Sequence, residues 1–233
     1  MKKIALVDCR SDRRYTDRLH ALGYRTVGLP PYSKLSPPVA SHPDLLFFRY
    51  RDTVVCRREY LEEHPELSVL VSELSENYRV VLSDSSATPD YPGEVGLCAL
   101  PLGKRILCRA RYATHEIFSL AETLDVPQGY AACSCISLEP DRLITADAGI
   151  ARIARREGIT VLEISCGGVT LPPYEYGFIG GASGVDGDAV YFFGDPMSHP
   201  DGEAICRFIT ESGRRAVSLG EGGLEDFGKI LFI

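Results

Sequence analysis

The 233-residue sequence predicts an α/β fold of five pseudo-symmetric strand-strand-helix-strand copies, closed through the chain termini. Three observations predict it. A helix, a stop residue and a strand recur in that order along the chain. Ahead of each helix, two strands joined by a tight turn recur as well. The last strand pair lacks a helix of its own unless the N-terminal segment supplies one.

Residues 129–164, GYAACSCISLEPDRLITADAGIARIARREGITVLEI, show the unit most fully. Small and apolar residues over 131–137 predict a strand whose side chains enter a crowded place. Glu139-Pro140-Asp141 turns the chain, and RLIT forms the second strand. Asp147 can cap a helix with Ile150, Ile153 and Ala154 on its buried stripe. Gly158 can end that helix in the left-handed conformation before the β-branched strand ITVLEI.

The same helix-stop-strand pattern reads DRLHALG-YRTVGL with Gly23, VSELSEN-YRVVLS with Asn77, EIFSLAET-LDVP, and FITESG-RRAVSL with Gly213. The paired strands read HPDLLFF-RYRD-TVVC, VGLCAL-PLGK-RILC and FIGGASG-VDGD-AVYFF, the last with a hairpin turn at Asp186-Gly187-Asp188. Thr114 is placed to cap the third helix, and Ser198 or Asp195 to start the last. GGLEDFG-KILFI ends the chain, so the strand IALVD near the N-terminus must complete that copy. Such a closure leaves no exposed edge. One domain spanning residues 1–233 is expected, because the Pro-rich loop at 30–38 and the loop at 83–92 are too short to be domain linkers.

Bulk properties narrow the class. With 45% hydrophobic and 24% charged residues the composition is that of a globular protein, and no apolar run approaches the roughly 20 residues of a membrane span. Met1-Lys2-Lys3 leads directly into a strand, which points to a cytoplasmic protein without a signal peptide. A net charge of −7 speaks against a nucleic-acid surface. The eight cysteines form no C-x-x-C pair and have no histidine at zinc-finger spacing, so neither a structural metal nor a cofactor is expected.

The strings HPD, QGYAACS, ITADAGI, GFIGGASGVDGD and HPDGEAI, together with the five copies, resemble the pentein fold. This is the α/β-propeller of guanidino-modifying enzymes such as arginine deiminases and dimethylarginine hydrolases. An archaeal and eukaryotic ribosome-binding initiation factor has the same fold and is not an enzyme. The chain also resembles an uncharacterised bacterial family described as guanidino-modifying-enzyme-like. The resemblance implies a histidine in the fourth copy as acid/base, a cysteine in the fifth as nucleophile, and carboxylates that bind the guanidinium. Here the fourth-copy stretch YEYGFIGGASGVD has no histidine and the fifth-copy stretch GEGGLEDFG has no cysteine.

The remaining candidates lie near the expected axis. Cys133 and Cys135, two apart on one predicted strand, would share a face. One is a relocated nucleophile, or both are ligands, or small thiols fill a tight space. Cys98 occupies the matching place in the second copy. Asp44 and Asp226 suit a cationic guanidinium or amine through charge-assisted bonds, or else cap turns or pair with an arginine such as Arg49. His42 is the first candidate base, ahead of His199, and Ser183 lies in a stretch small enough to admit a ligand. The function expected is binding of a small guanidino or amino-acid-like ligand on the axis, with a divergent C–N hydrolase as its catalytic form. The alternative is a non-catalytic scaffold for a protein or ribosomal partner. A monomer or simple homodimer is expected in either case.

Overall fold

In a computed structural model that describes residues 3–138 and 140–233, β-branched and aliphatic runs form five three-stranded sheets with one strand order. In each sheet the middle strand pairs antiparallel with a short first strand and parallel with a third. The sheet of Cys135–Leu138, Arg142–Thr145 and Thr160–Glu163 is representative, with Cys135 opposite Thr145 and Thr145 opposite Glu163. The expected Glu139-Pro140-Asp141 turn includes Glu139, which, like Met1 and Lys2, lies outside the described residues.

A helix stands between the second and third strand of each sheet, and its apolar stripe covers the sheet. In Ala148–Arg156 the buried residues are Ile150, Ala151 and Ala154, and the Asp147 carboxylate accepts from the Ile150 amide at 2.8 Å. Gly23, Gly158 and Gly213 end their helices with φ of 95°, 78° and 77°, as a left-handed stop requires. Asn77 does not adopt that conformation; among the described residues, the non-glycine residues with positive φ are Arg51 and Lys229. Thr114 precedes the helix His115–Leu120 but makes no side-chain cap. Asp195 caps a separate short turn, Pro196–Ser198, and the helix Gly202–Glu211 begins after it.

The two ends of the chain pair with one another. Ile4 and Ile233 exchange both backbone hydrogen bonds, at 2.9 and 2.8 Å, and Leu231–Phe232 runs antiparallel to Ile4–Asp8. A further two-stranded parallel ladder joins Val169–Thr170 to Leu224–Glu225.

The main correction concerns how the short first strands begin. The sequence predicts that strands start at His42, Val95 and Ala131. Instead each starts with a helical turn, Pro43–Leu46, Val95–Leu97 and Ala131–Ser134, and the strand follows it. Pro43 favours the first of these turns because its missing N–H and fixed φ suit a helix start. Cys133 is therefore on a turn and Cys135 on a strand, so the two do not share a strand face.

The terminal pairing is testable. The Phe232 ring is buried against Tyr24 and Tyr191, with centroids 4.8 and 5.2 Å away. Phe232→Ala is expected to lower unfolding free energy in denaturant by about 3–5 kcal/mol with an unchanged m-value. A loss below about 1 kcal/mol would mean that the last strand is not part of the cooperative core.

Candidate functional site

The helical turns that open the first strands bring polar side chains from distant segments into one buried cluster. Asp44 is carried by the turn Pro43–Leu46, Cys98 caps Val95–Leu97, and Cys133 lies within Ala131–Ser134. Cys133 Sγ donates to Asp44 Oδ2 at 2.6 Å, and Cys98 Sγ lies 3.6 Å from the same oxygen. Asp44 Oδ1 has no hydrogen-bond partner. Arg57, itself buried, anchors the Asp44 turn by donating to the carbonyls of Leu45, Ser85 and Glu94, each at 2.9 Å.

Asp226 follows the strand Leu224–Glu225 and accepts from the amides of Phe178 and Gly228, at 2.8 and 2.9 Å. Its carboxylate lies where the fourth-copy stretch comes closest. A Cβ on Gly181 would sit 1.9 Å from Asp226 Oδ1, so only glycine allows this approach. His42 packs on Gly228 in the same way. Its side chain is 1% exposed, and neither ring nitrogen has a hydrogen-bond partner. Its Nε2 stands 4.0 Å from Asp8 Oδ2, and Asp8 is gripped by Arg10 through Nε and Nη2 at 2.9 and 2.5 Å.

Burial controls the charges. It pushes the Asp44 carboxyl up to about 6, against the opposing donation from Cys133 and the nearby Lys229 ammonium. It pushes Asp226 up to about 7, opposed by the two amides and reinforced by Asp44 and Asp8. Burial, with Arg10 close by, holds His42 down at about 3, so its approach to Asp8 is a contact of a neutral imidazole and no ion pair. The Cys133 thiol is held well above its ordinary value, first by hydrogen bonding with Cys98 and then by burial. Lys229 is lowered by burial, and Asp44 counteracts that shift. Its Nζ is 3.4 and 3.5 Å from the carbonyls of Ala132 and Cys135.

The structure thus brings together Asp44, Cys98, Cys133, His42 and Asp226 of the expected set. Cys135 packs instead in an apolar cluster with Leu100 and Leu143, its thiol pushed up to about 12 by burial. The Ser183 hydroxyl is turned onto the Gly180 carbonyl at 3.3 Å. His199 is buried and accepts from the Asp201 amide, a capping role. Arg49 bonds the Phe232 carbonyl and is not a partner of either aspartate. Asp8, Arg10, Arg57 and Lys229 were not singled out from sequence. Asp8 stood at the carboxyl end of a predicted strand, which was an available signal; nothing in the sequence marks Lys229, whose φ of 80° turns it inward.

Chemically, the cluster does not hold an activated thiol. A nucleophilic cysteine needs a thiolate beside a cation or an aligned base, whereas Cys133 and His42 are both neutral here. Among the described residues, two groups can offer ligand atoms to a metal ion: His42 with Cys133 and Asp226, and Asp44 with Cys98 and Cys133, each set within 4.8 Å. Lys229 lines one adjacent cavity of 460 Å³, and Asp226 lines another of 190 Å³.

Comparisons with known proteins agree on the fold. The model of a family of unknown function, DUF6873, matches residues 6–231. No curated protein matches by sequence. Among solved structures, a dimethylarginine dimethylaminohydrolase from Pseudomonas aeruginosa, complexed with citrulline, is similar with a TM-score of 0.54 and 12% identity. That likeness covers 96% of both chains. An adduct of dimethylarginine dimethylaminohydrolase with S-methyl-L-thiocitrulline gives 0.55 and 13%, over 96% of this chain and 97% of the other. The amidinotransferase SxtG from Microseira wollei gives 0.52 and 10%, over 88% of this chain and 72% of its own. The mixed α/β architecture is that of the pentein structures. No helix among the described residues is long and apolar enough to cross a membrane.

Thiol reactivity checks the site directly. Cys9 and Cys166 are exposed, whereas Cys98, Cys133 and Cys135 are buried with raised thiols. Native protein is expected to label quickly at Cys9 and Cys166, with the three buried thiols labelling only after unfolding. Fast labelling of Cys133 in the native state would contradict this picture.

Proposed function

The chain belongs to DUF6873, a family of unknown function, and from that premise we propose that it binds a small cationic ligand at Asp44 and Asp226. The ligand is guanidino or amino-acid-like, and the site lies on the axis of a closed five-copy α/β-propeller. The observation that carries this reading is two buried carboxylates that each lie in one cluster with Cys133, with Asp44 Oδ1 unpartnered. An unsatisfied buried acceptor is costly, and a cation with N–H donors removes that cost. Support also comes from the fold neighbours, whose names specify dimethylarginine and amidino substrates.

Binding is favoured over hydrolysis. A divergent amidino hydrolase would use Cys133 as its thiol and His42 as its base, and both are neutral in this environment. The scaffold alternative is favoured by one feature, the Lys229 ammonium, which brings a positive charge to Asp44 from within the chain.

Thermal melting against guanidino compounds, amino acids and their amides separates these readings. A ligand at 100 times its dissociation constant stabilises the native state by about 2.7 kcal/mol, or roughly 5–10 °C for a chain of this size. We expect such a shift for a guanidino or amino-acid ligand and its loss in Asp44→Asn, which keeps shape and removes charge. No shift with any of these compounds would favour the scaffold, and an unchanged shift in Asp44→Asn would remove Asp44 from the site.

A further inference from the structure

His42 has an environment that an organic cation does not fully explain. A buried neutral imidazole has one donor and one acceptor, and both are without partners here. Its neighbours include the Cys133 thiol and the Asp226 carboxylate, with ligand atoms of all three within 4.8 Å. Nitrogen, sulfur and oxygen donors of this kind are the set that zinc-like ions select.

Asp8 adds an independent geometric argument. Metal-bound histidines commonly donate their second ring nitrogen to a carboxylate, which fixes the tautomer and the ring. Asp8 Oδ2 lies 4.0 Å from His42 Nε2, and Arg10 holds that carboxylate in place through three hydrogen bonds. With Nε2–H given to Asp8, Nδ1 is the nitrogen left to serve as the ligand atom.

We propose that His42, Cys133 and Asp226 form a binding site for a thiophilic divalent cation of the zinc type, with Asp8 orienting His42. This deepens the cation-binding reading above and rests on it. The ion binds the thiolate form of Cys133 and displaces its proton to solvent. Asp44 then loses the Cys133 donor and keeps Cys98 at 3.6 Å, with the Lys229 ammonium offsetting the added negative charge. Three protein ligands leave a fourth position for water or a small ligand, the arrangement of zinc sites that also bind substrate. Asp226 has lone pairs left for an ion, because each of its oxygens accepts a single amide here.

Cobalt(II) titration of the reduced, chelator-stripped protein tests this, since cobalt reports thiolate ligation by its absorption. We expect stoichiometric binding with a thiolate-to-cobalt charge-transfer band and tetrahedral d–d bands, all displaced by zinc. The bands should persist when the exposed thiols are removed in Cys9→Ser/Cys166→Ser and disappear in Cys133→Ser. His42→Ala should weaken binding by more than about 100-fold, and Asp8→Asn by about 10–100-fold with the bands retained. The fold of each stripped variant is checked by melting. If Cys133→Ser does not fold, the wild-type bands and their survival in the exposed-thiol variant carry the result. Absent charge-transfer bands at saturating cobalt, or bands lost with Cys9 and Cys166, would overturn the proposal. Guanidino-induced melting shifts on the same stripped protein separate the two failures. A shift without bands overturns the metal and leaves the organic cation, and neither signal overturns both.

Discussion

Carboxylates are expensive to bury, and much of this molecule is arranged around three of them. Asp8, Asp44 and Asp226 are almost inaccessible to solvent, and an isolated buried charge costs several kcal/mol. Each has its own compensation. Asp8 is clamped by Arg10, Asp226 receives two backbone amides, and Asp44 has two thiols and a nearby lysine. The compensation is incomplete at Asp44 Oδ1 and at both nitrogens of His42. That shortfall, more than any single distance, is what the proposed cation site rests on.

The sequence resemblance implies a histidine in the fourth copy and a cysteine in the fifth. Here Gly181 and Asp226 meet in those stretches, and the close approach leaves no room for a side chain on Gly181. Cys133 and His42 lie on other segments, and burial holds both in the neutral form. The cluster is polar and holds no activated nucleophile. It is compatible with a binding site and with a metal centre, both of which use carboxylates and a neutral imidazole directly.

Much of the architecture was legible because its signals are local. Glycine after an amphipathic stripe has one strong physical meaning, and Gly23, Gly158 and Gly213 all carry it out. Asp147 ahead of Ile150 is likewise a cap that spacing alone can find. The turns at Pro43–Leu46 and Ala131–Ser134 were not legible, because four residues are too few to show a helical period. Reading them as strands put Cys135 beside Cys133, when it belongs to the apolar layer with Leu143. At the site, the choice of Asp44, Asp226, Cys98, Cys133 and His42 follows from their place on or beside strands expected to face inward. Their counter-charges did not, since Arg10, Arg57 and Lys229 reach the cluster by tertiary contacts and, for Lys229, by a left-handed backbone that no lysine advertises.

The central claim is that this cluster is a cation site, and a crystal structure of the reduced protein grown with zinc and with a guanidino compound tests it most directly. The resolution must show ordered water around His42. The account predicts density for a cation in contact with Asp226 or Asp44, with His42 turned to engage it or to bond Asp8. Waters hydrogen-bonded to both His42 nitrogens and to Asp44 Oδ1, with no cation under either condition, would contradict it.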